Sequence, residues 1–129
     1  MTVQINWDHI EDQLIVIYQF DGLWDWEDLQ AAHTVAFKTI RKQEKAVSVV
    51  FDMTASVDLP VGALSAMRQM LAHAPANLGV IVVLTDDAVT HNSFAMLSKF
   101  DQTLSSRIIT VPDTEGAYSI LAEYHLTLD

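Results

Sequence analysis

The chain has 129 residues, enough for one domain but too few for two ordinary ones, and a domain of this size folds without disulfides or a structural metal. It contains no cysteine, which excludes thiol nucleophiles, thiolate metal sites and a disulfide framework. Lys and Arg total 7 against 17 Asp and Glu, a formal net charge of −10; such a surface repels phosphate backbones and anionic lipid heads, so neither nucleic acid nor a membrane is an expected partner.

The first residues lack a basic and apolar leader pattern, and the longest apolar runs, Leu14–Tyr18 and Val80–Leu84, fall far below the ~20 residues that span a bilayer. A cytoplasmic protein with no cofactor is the expectation. Val3, Ile5 and Trp7 alternate with Gln4 and Asn6, the period of a half-buried strand. Asp8–Gln13 reads as a polar connection, and Leu14–Phe20 as a second strand that closes an antiparallel hairpin.

Asp25 is a suitable N-cap for a helix of about five turns. Its stripe is Leu29, Ala32, Ala36, Phe37 and Ile40, and it ends among Arg41, Lys42 and Lys45. Val47–Phe51 predicts a third strand. A second helix is expected from Pro60, on Leu64, Met67, Leu71 and Ala74, stopped by Pro75 and Asn77–Gly79. Gly79–Thr85 is a continuous apolar strand of the kind covered on both faces. Asp86–Thr90 reads as loop, Phe94–Leu104 as a helix, Arg107–Val111 as a fifth strand, and the residues after Asp113 as a last helix on Ala117, Ile120, Leu121, Tyr124 and Leu128. The order is β-β-α-β-α-β-α-β-α, which implies an α/β domain with a mixed sheet over residues 1–129.

Two segments carry a resemblance. One is Tyr18–Ala32, with its aromatic strand, Gly22, Trp24 and the acid-rich helix start. The other is Asn77–Asp87, which leads into the fourth strand through Asn77-Leu78-Gly79. With the element order, they resemble the STAS or SpoIIAA-like domains of anti-sigma factor antagonists, within a bacterial subgroup. The resemblance implies a fold and regulatory protein contacts. In that family a serine or threonine, in an Asp-Ser-Ser-Gly-like turn after the third strand, accepts a phosphate at a helix N-terminus. Here the matching residues are Asp58-Leu59-Pro60-Val61-Gly62. The hydroxyls are replaced, Thr54 and Ser56 come early, and Ser65 falls inside the expected helix.

Other chemistry lacks its parts. Asp52, Asp86, Asp87 and Asp113 are expected near strand ends, where acids favour local caps over Mg²⁺. The five histidines form no zinc motif, and Asp87 with His91 is too few ligands for a site. There is no Gly-x-Ser-x-Gly elbow and no phosphate loop.

Trp24 and Trp26 flank the N-cap of the first helix; they either staple it to the core or present an aromatic surface. Met67, Met70 and Met96 fit core stripes or an adaptable contact surface. The leading expectation is therefore a non-enzymatic, dimeric regulatory or protein-interaction module without the phosphorylatable serine, its protein partner unidentified. Its binding residues would be Asp52, Thr54, Ser56, Asp58 and Leu59, with Trp24 and Trp26. The alternatives are a small apolar-ligand carrier, with Trp24, Phe37 or Met96 in its pocket, and a Mg²⁺-dependent phosphoryl-transfer enzyme using Asp52.

Overall fold

A computed structural model describes residues 2–10, 12–56, 62–100 and 107–128. Strands β1 (Thr2–Ile10) and β2 (Gln13–Gly22) form an antiparallel hairpin whose pairing runs from Thr2↔Asp21 to Ile10↔Gln13. The strands therefore take in Asp8–Ile10, which had read as a connection. Then follow α1 (Trp26–Arg41), β3 (Val47–Ser56), α2 (Ala63–Ala72), β4 (Leu78–Leu84), α3 (Ala88–Phe100), β5 (Ile108–Val111) and α4 (Thr114–Leu128). The five strands lie in sequence order, and β2 to β5 are parallel.

That order fixes where the helices go. Three successive crossovers step the same way along the sheet, and right-handed crossovers then put their helices on one face. Accordingly Leu29, Ala36, Phe37 and Ile40 of α1, Met67 and Leu71 of α2 and Phe94 of α3 share one core cluster with Tyr18, Phe20, Phe51 and Val83. α4 lies over the opposite face, where Ala117 and Leu121 cover Ile15, Val50, Val80 and Val82. All of β4 is buried.

Helix α1 starts where the acids place it. The Asp25 side chain accepts from the Asp28 backbone N–H at 2.9 Å, and Asp28 accepts from the Asp25 N–H at 3.1 Å, a reciprocal capping box. The helix ends at Arg41, with Lys42 as its C-cap, so Lys45 lies beyond it. Asp87 accepts from the Thr90 N–H and hydroxyl at 2.9 and 2.8 Å. This starts α3 at Ala88, six residues before the apolar periodicity suggested. Helix α2 is described from Ala63; Pro60, its expected start, lies outside the described residues. Its N-cap is Gly62, whose φ of 81° is a left-handed value natural to glycine.

The Asn77–Gly79 segment is structural. The Asn77 side-chain N–H₂ donates to the carbonyls of Ile40, Gln43 and Lys45 at 2.6, 3.1 and 3.3 Å, tying the end of α1 and the following turn to the start of β4. A Cβ on Gly79 would lie 2.8 Å from Ser48 Oγ and 3.1 Å from the Tyr124 ring, so only glycine lets α4 close over β4. Replacing Asn77 by Ala removes all three bonds, the part-buried one to Ile40 included. Asn77→Ala is expected to cost about 2 kcal/mol in urea denaturation.

Candidate functional site

Three of the acids expected near strand ends are each held in a local contact of their own. β3 does not stop at Phe51 but runs to Ser56, pairing Asp21↔Ala55 and Gly22↔Ser56 after its pairing with β4 has ended at Asp52↔Leu84. Asp52 thus sits within a strand rather than at its end. Its carboxylate accepts from the Thr54 N–H and hydroxyl at 3.1 and 2.7 Å. Asp52 shares its row with Gln19, and the Gln19 side chain accepts from Asn6 at 3.5 Å. This polar strip lies on the α4 face, beyond what one helix covers. Asp113 accepts from the Gly116 N–H at 2.7 Å and caps α4. Asp87 is held below the ordinary carboxylate range, chiefly by the Thr90 backbone N–H and then by its hydroxyl.

Asp52, Asp87 and Asp113 are therefore each engaged by their own local backbone. Among the described residues no three His, Asp or Glu side chains gather as metal ligands. Asp87 and His91 are related instead by the first turn of α3, in which the His91 N–H donates to the Asp87 carbonyl at 2.9 Å. Asp58 and Leu59 lie outside the described residues.

On the opposite face the tryptophans do come together with β3. Trp24, 5 % exposed, precedes the N-cap of α1 and packs on Phe20 at 4.7 Å between ring centroids. It shares the core cluster with Leu29, the pairing of a hydrophobic staple. Its indole N–H donates to Ser56 Oγ at 2.9 Å, which satisfies the one polar group a buried tryptophan carries. Trp26 stands edge-on to Trp24, 5.4 Å between centroids at 87°, and is half-buried.

Trp26 lines a sizeable concavity. A groove of about 520 Å³ runs between α1 and α2, lined by Trp26, Leu29, Gln30 and His33 on one side and by Ala66, Gln69, Met70 and His73 on the other. These positions recur at three- and four-residue steps, one face of each helix. Leu29 and Met70 are buried and make an apolar floor; the glutamines and histidines make polar walls. Arg41 of α1 donates to the His73 carbonyl at 3.2 Å, linking the ends of the two helices. His33 Nδ1 is buried without a hydrogen-bond partner, against Phe37 at 4.9 Å. Burial, and secondarily the charge of Arg41, holds His33 below the ordinary imidazole value.

In overall architecture the chain is similar to the crystal structure of an uncharacterised protein of the DUF3478 family with a SpoIIAA-like fold, from Shewanella loihica PV-4. The TM-score is 0.71 over 93% of this chain and 94% of that one, at 12% sequence identity. The fold is SpoIIAA-like. No family model and no curated protein matches the sequence. At that identity the SpoIIAA-like relative speaks for architecture alone. No helix among the described residues is long and apolar enough to cross a membrane.

The SpoIIAA-like frame explains why sequence reasoning named Trp26 but missed its neighbours. Gln30 and His33 follow from Trp26 by helical spacing. Ala66, Gln69 and His73 are small or polar residues facing a gap between helices, and nothing in their own pattern marks that. Met96 lies exposed on α3 rather than in a core stripe, Trp24 is buried beneath Trp26, and neither lines the groove.

Two expectations follow. Ser56→Ala leaves the Trp24 N–H without a partner and is expected to cost about 1–2 kcal/mol, a loss that a Trp24→Phe background should largely abolish in a double-mutant cycle. His33 binds its proton less readily folded than unfolded. Its contribution to stability is thus complete above its unfolded value near 6.5 and is lost as the pH falls through its lower folded value. Urea titrations between pH 7 and 5 should show a shallower decline for His33→Gln than for the parent.

Proposed function

We propose that this chain is a non-enzymatic module that acts by binding, and that its site is the α1–α2 groove holding a small, largely apolar molecule. The observation that carries this is the groove itself. Its volume of about 520 Å³ falls within the ~300–1,000 Å³ of small-molecule sites, and an apolar floor edged by a few polar groups is their usual lining. A regulatory role of the antagonist kind, through a phosphorylated serine, finds no support in the residues: the segment 57–62 carries no hydroxyl, and the N-cap of α2 is a glycine.

A second reading is a protein-interaction module, favoured by one observation. Leu23, 66 % exposed, sits at the tip of the β2–β3 extension, whose geometry the Trp24–Ser56 hydrogen bond fixes. Such a rigid apolar tip suits a protein contact.

The groove reading is tested with the neutral dye N-phenyl-1-naphthylamine, whose fluorescence rises on transfer from water. Ligand-efficiency limits place its dissociation constant on the order of 10 µM. Ala66→Trp, which fills the groove, should abolish the signal. Val35→Trp, on an exposed part of α1 that does not line the groove, should leave it unchanged. No dye binding by the parent chain, or equal binding by the Ala66→Trp variant, would remove this reading.

A further inference from the structure

Beneath the groove floor lies a second feature that the fold alone does not require. Tyr18 of β2 is fully buried in the aromatic cluster, 5.0 Å from the Phe51 ring and 6.4 Å from that of Phe20. Its hydroxyl has no hydrogen-bond partner. It lines a narrow crevice with Phe37, Phe51, Met70, Leu71 and Ile81, and the crevice has no room for a water molecule. The hydroxyl is therefore neither paired nor hydrated. An unsatisfied buried hydroxyl costs on the order of 1–3 kcal/mol, and phenylalanine would fill the same space without that cost, as Phe20 and Phe51 do beside it. Burial pushes the phenol well above its ordinary ionisation range, so it stays a neutral donor at any physiological pH.

Met70 connects this crevice to the outside. Its side chain lines both the groove and the crevice, so it is the partition between them. Methionine is unbranched and turns about three side-chain bonds, which makes it the easiest core residue to displace.

We propose that Met70 is a gate and that the Tyr18 hydroxyl is a hydrogen-bond handle for a ligand of the groove. That ligand is a neutral, mostly apolar molecule with one carbonyl-type acceptor. The inference rests on the groove reading and names its ligand class. Each part has a physical ground. The crevice is walled by apolar and aromatic side chains, which selects an apolar body. Among the residues that line it, the one side chain with a hydrogen-bond donor is that of Tyr18, which selects an acceptor. Neither a cation nor an anion has a counter-charge among the lining residues, and a buried unpaired charge is costly. The net charge of −10 further disfavours anions.

The experiment compares hexanophenone with hexylbenzene, which differ by the carbonyl, as competitors of the groove dye. The parent chain is expected to bind the ketone about tenfold more tightly, the worth of one buried hydrogen bond to an otherwise orphaned donor. Tyr18→Phe should bring the two within about twofold of each other, with hexylbenzene affinity unchanged and with the melting temperature of the free protein unchanged or raised. Met70→Ala should speed ketone association in stopped flow.

A Tyr18→Phe variant that keeps the ketone preference overturns the handle. So does one that loses stability, since the hydroxyl would then have a structural partner. An unchanged association rate in Met70→Ala overturns the gate. Equal binding of the two competitors by the parent chain sinks this proposal while sparing the groove reading; failure of dye and both competitors to bind sinks the two together.

Discussion

Most of what is distinctive in this chain follows from a mismatch between strand spacing and helix width. Parallel strands lie about 4.8 Å apart, whereas helices with their side chains are about 10 Å across. Three crossovers of one hand place α1, α2 and α3 on the same side of a five-stranded sheet, where three helices do not fit directly above the strands they join. They spread instead: α1 slides out over β1 and α3 packs against β5. α2, between them, packs against α3 and only sparingly against α1. The groove is the resulting gap. It is a consequence of topology, and the side chains that border it decide what the gap can hold.

The same geometry explains what the sequence discloses and what it conceals. Periodicity reports burial, and the buried faces were legible: Leu29, Ala32, Ala36, Phe37 and Ile40 of α1 are all buried, as is the whole of β4. Helix starts were legible where a cap sits beside an apolar stripe, as at Asp25. The start of α3 was not, because its first turn, Ala88–His91, has no buried face to reveal it; only the Asp87 cap marks it. The end of β3 was missed for the converse reason. Thr54 and Ala55 are exposed, yet the strand continues through them by pairing Ala55 and Ser56 with β2 beyond the point where β4 stops, a contact that no local pattern encodes.

The candidate site illustrates the same limit more sharply. Acids after an apolar strand draw attention because reactive carboxylates occur there, but Asp52, Asp87 and Asp113 all accept hydrogen bonds from neighbours within three residues. Short-range geometry satisfies such groups first. Trp24 and Trp26, two residues apart, differ in burial. One is consumed by the core and by Ser56, the other is left at the mouth of the groove. What sequence could not supply was the opposing wall from α2, since Ala66, Gln69 and His73 become neighbours of Trp26 only through a crossover.

Where polar groups are left unsatisfied is more informative than where they are satisfied. Caps, the Asn77 bridge and the Trp24–Ser56 bond show a structure that pairs its polar atoms even in exposed or half-buried places. Against that background, the buried side-chain atoms without partners among the described residues are Gln13 Oε1, His33 Nδ1, the Tyr18 hydroxyl and Ser48 Oγ. Gln13 lies at the start of β2, and Ser48 sits on the α4 side, where Gly79 and Tyr124 close over it. Of the other two, His33 lines the groove and Tyr18 the crevice, and Met70 lines both. A native state is stable by only about 5–15 kcal/mol, so an orphaned hydroxyl in the middle of an aromatic cluster is an appreciable fraction of the whole. Phenylalanine at position 18 would relieve it without altering the packing. A phenol there makes physical sense if the free protein is not the state in which its hydrogen bond is made.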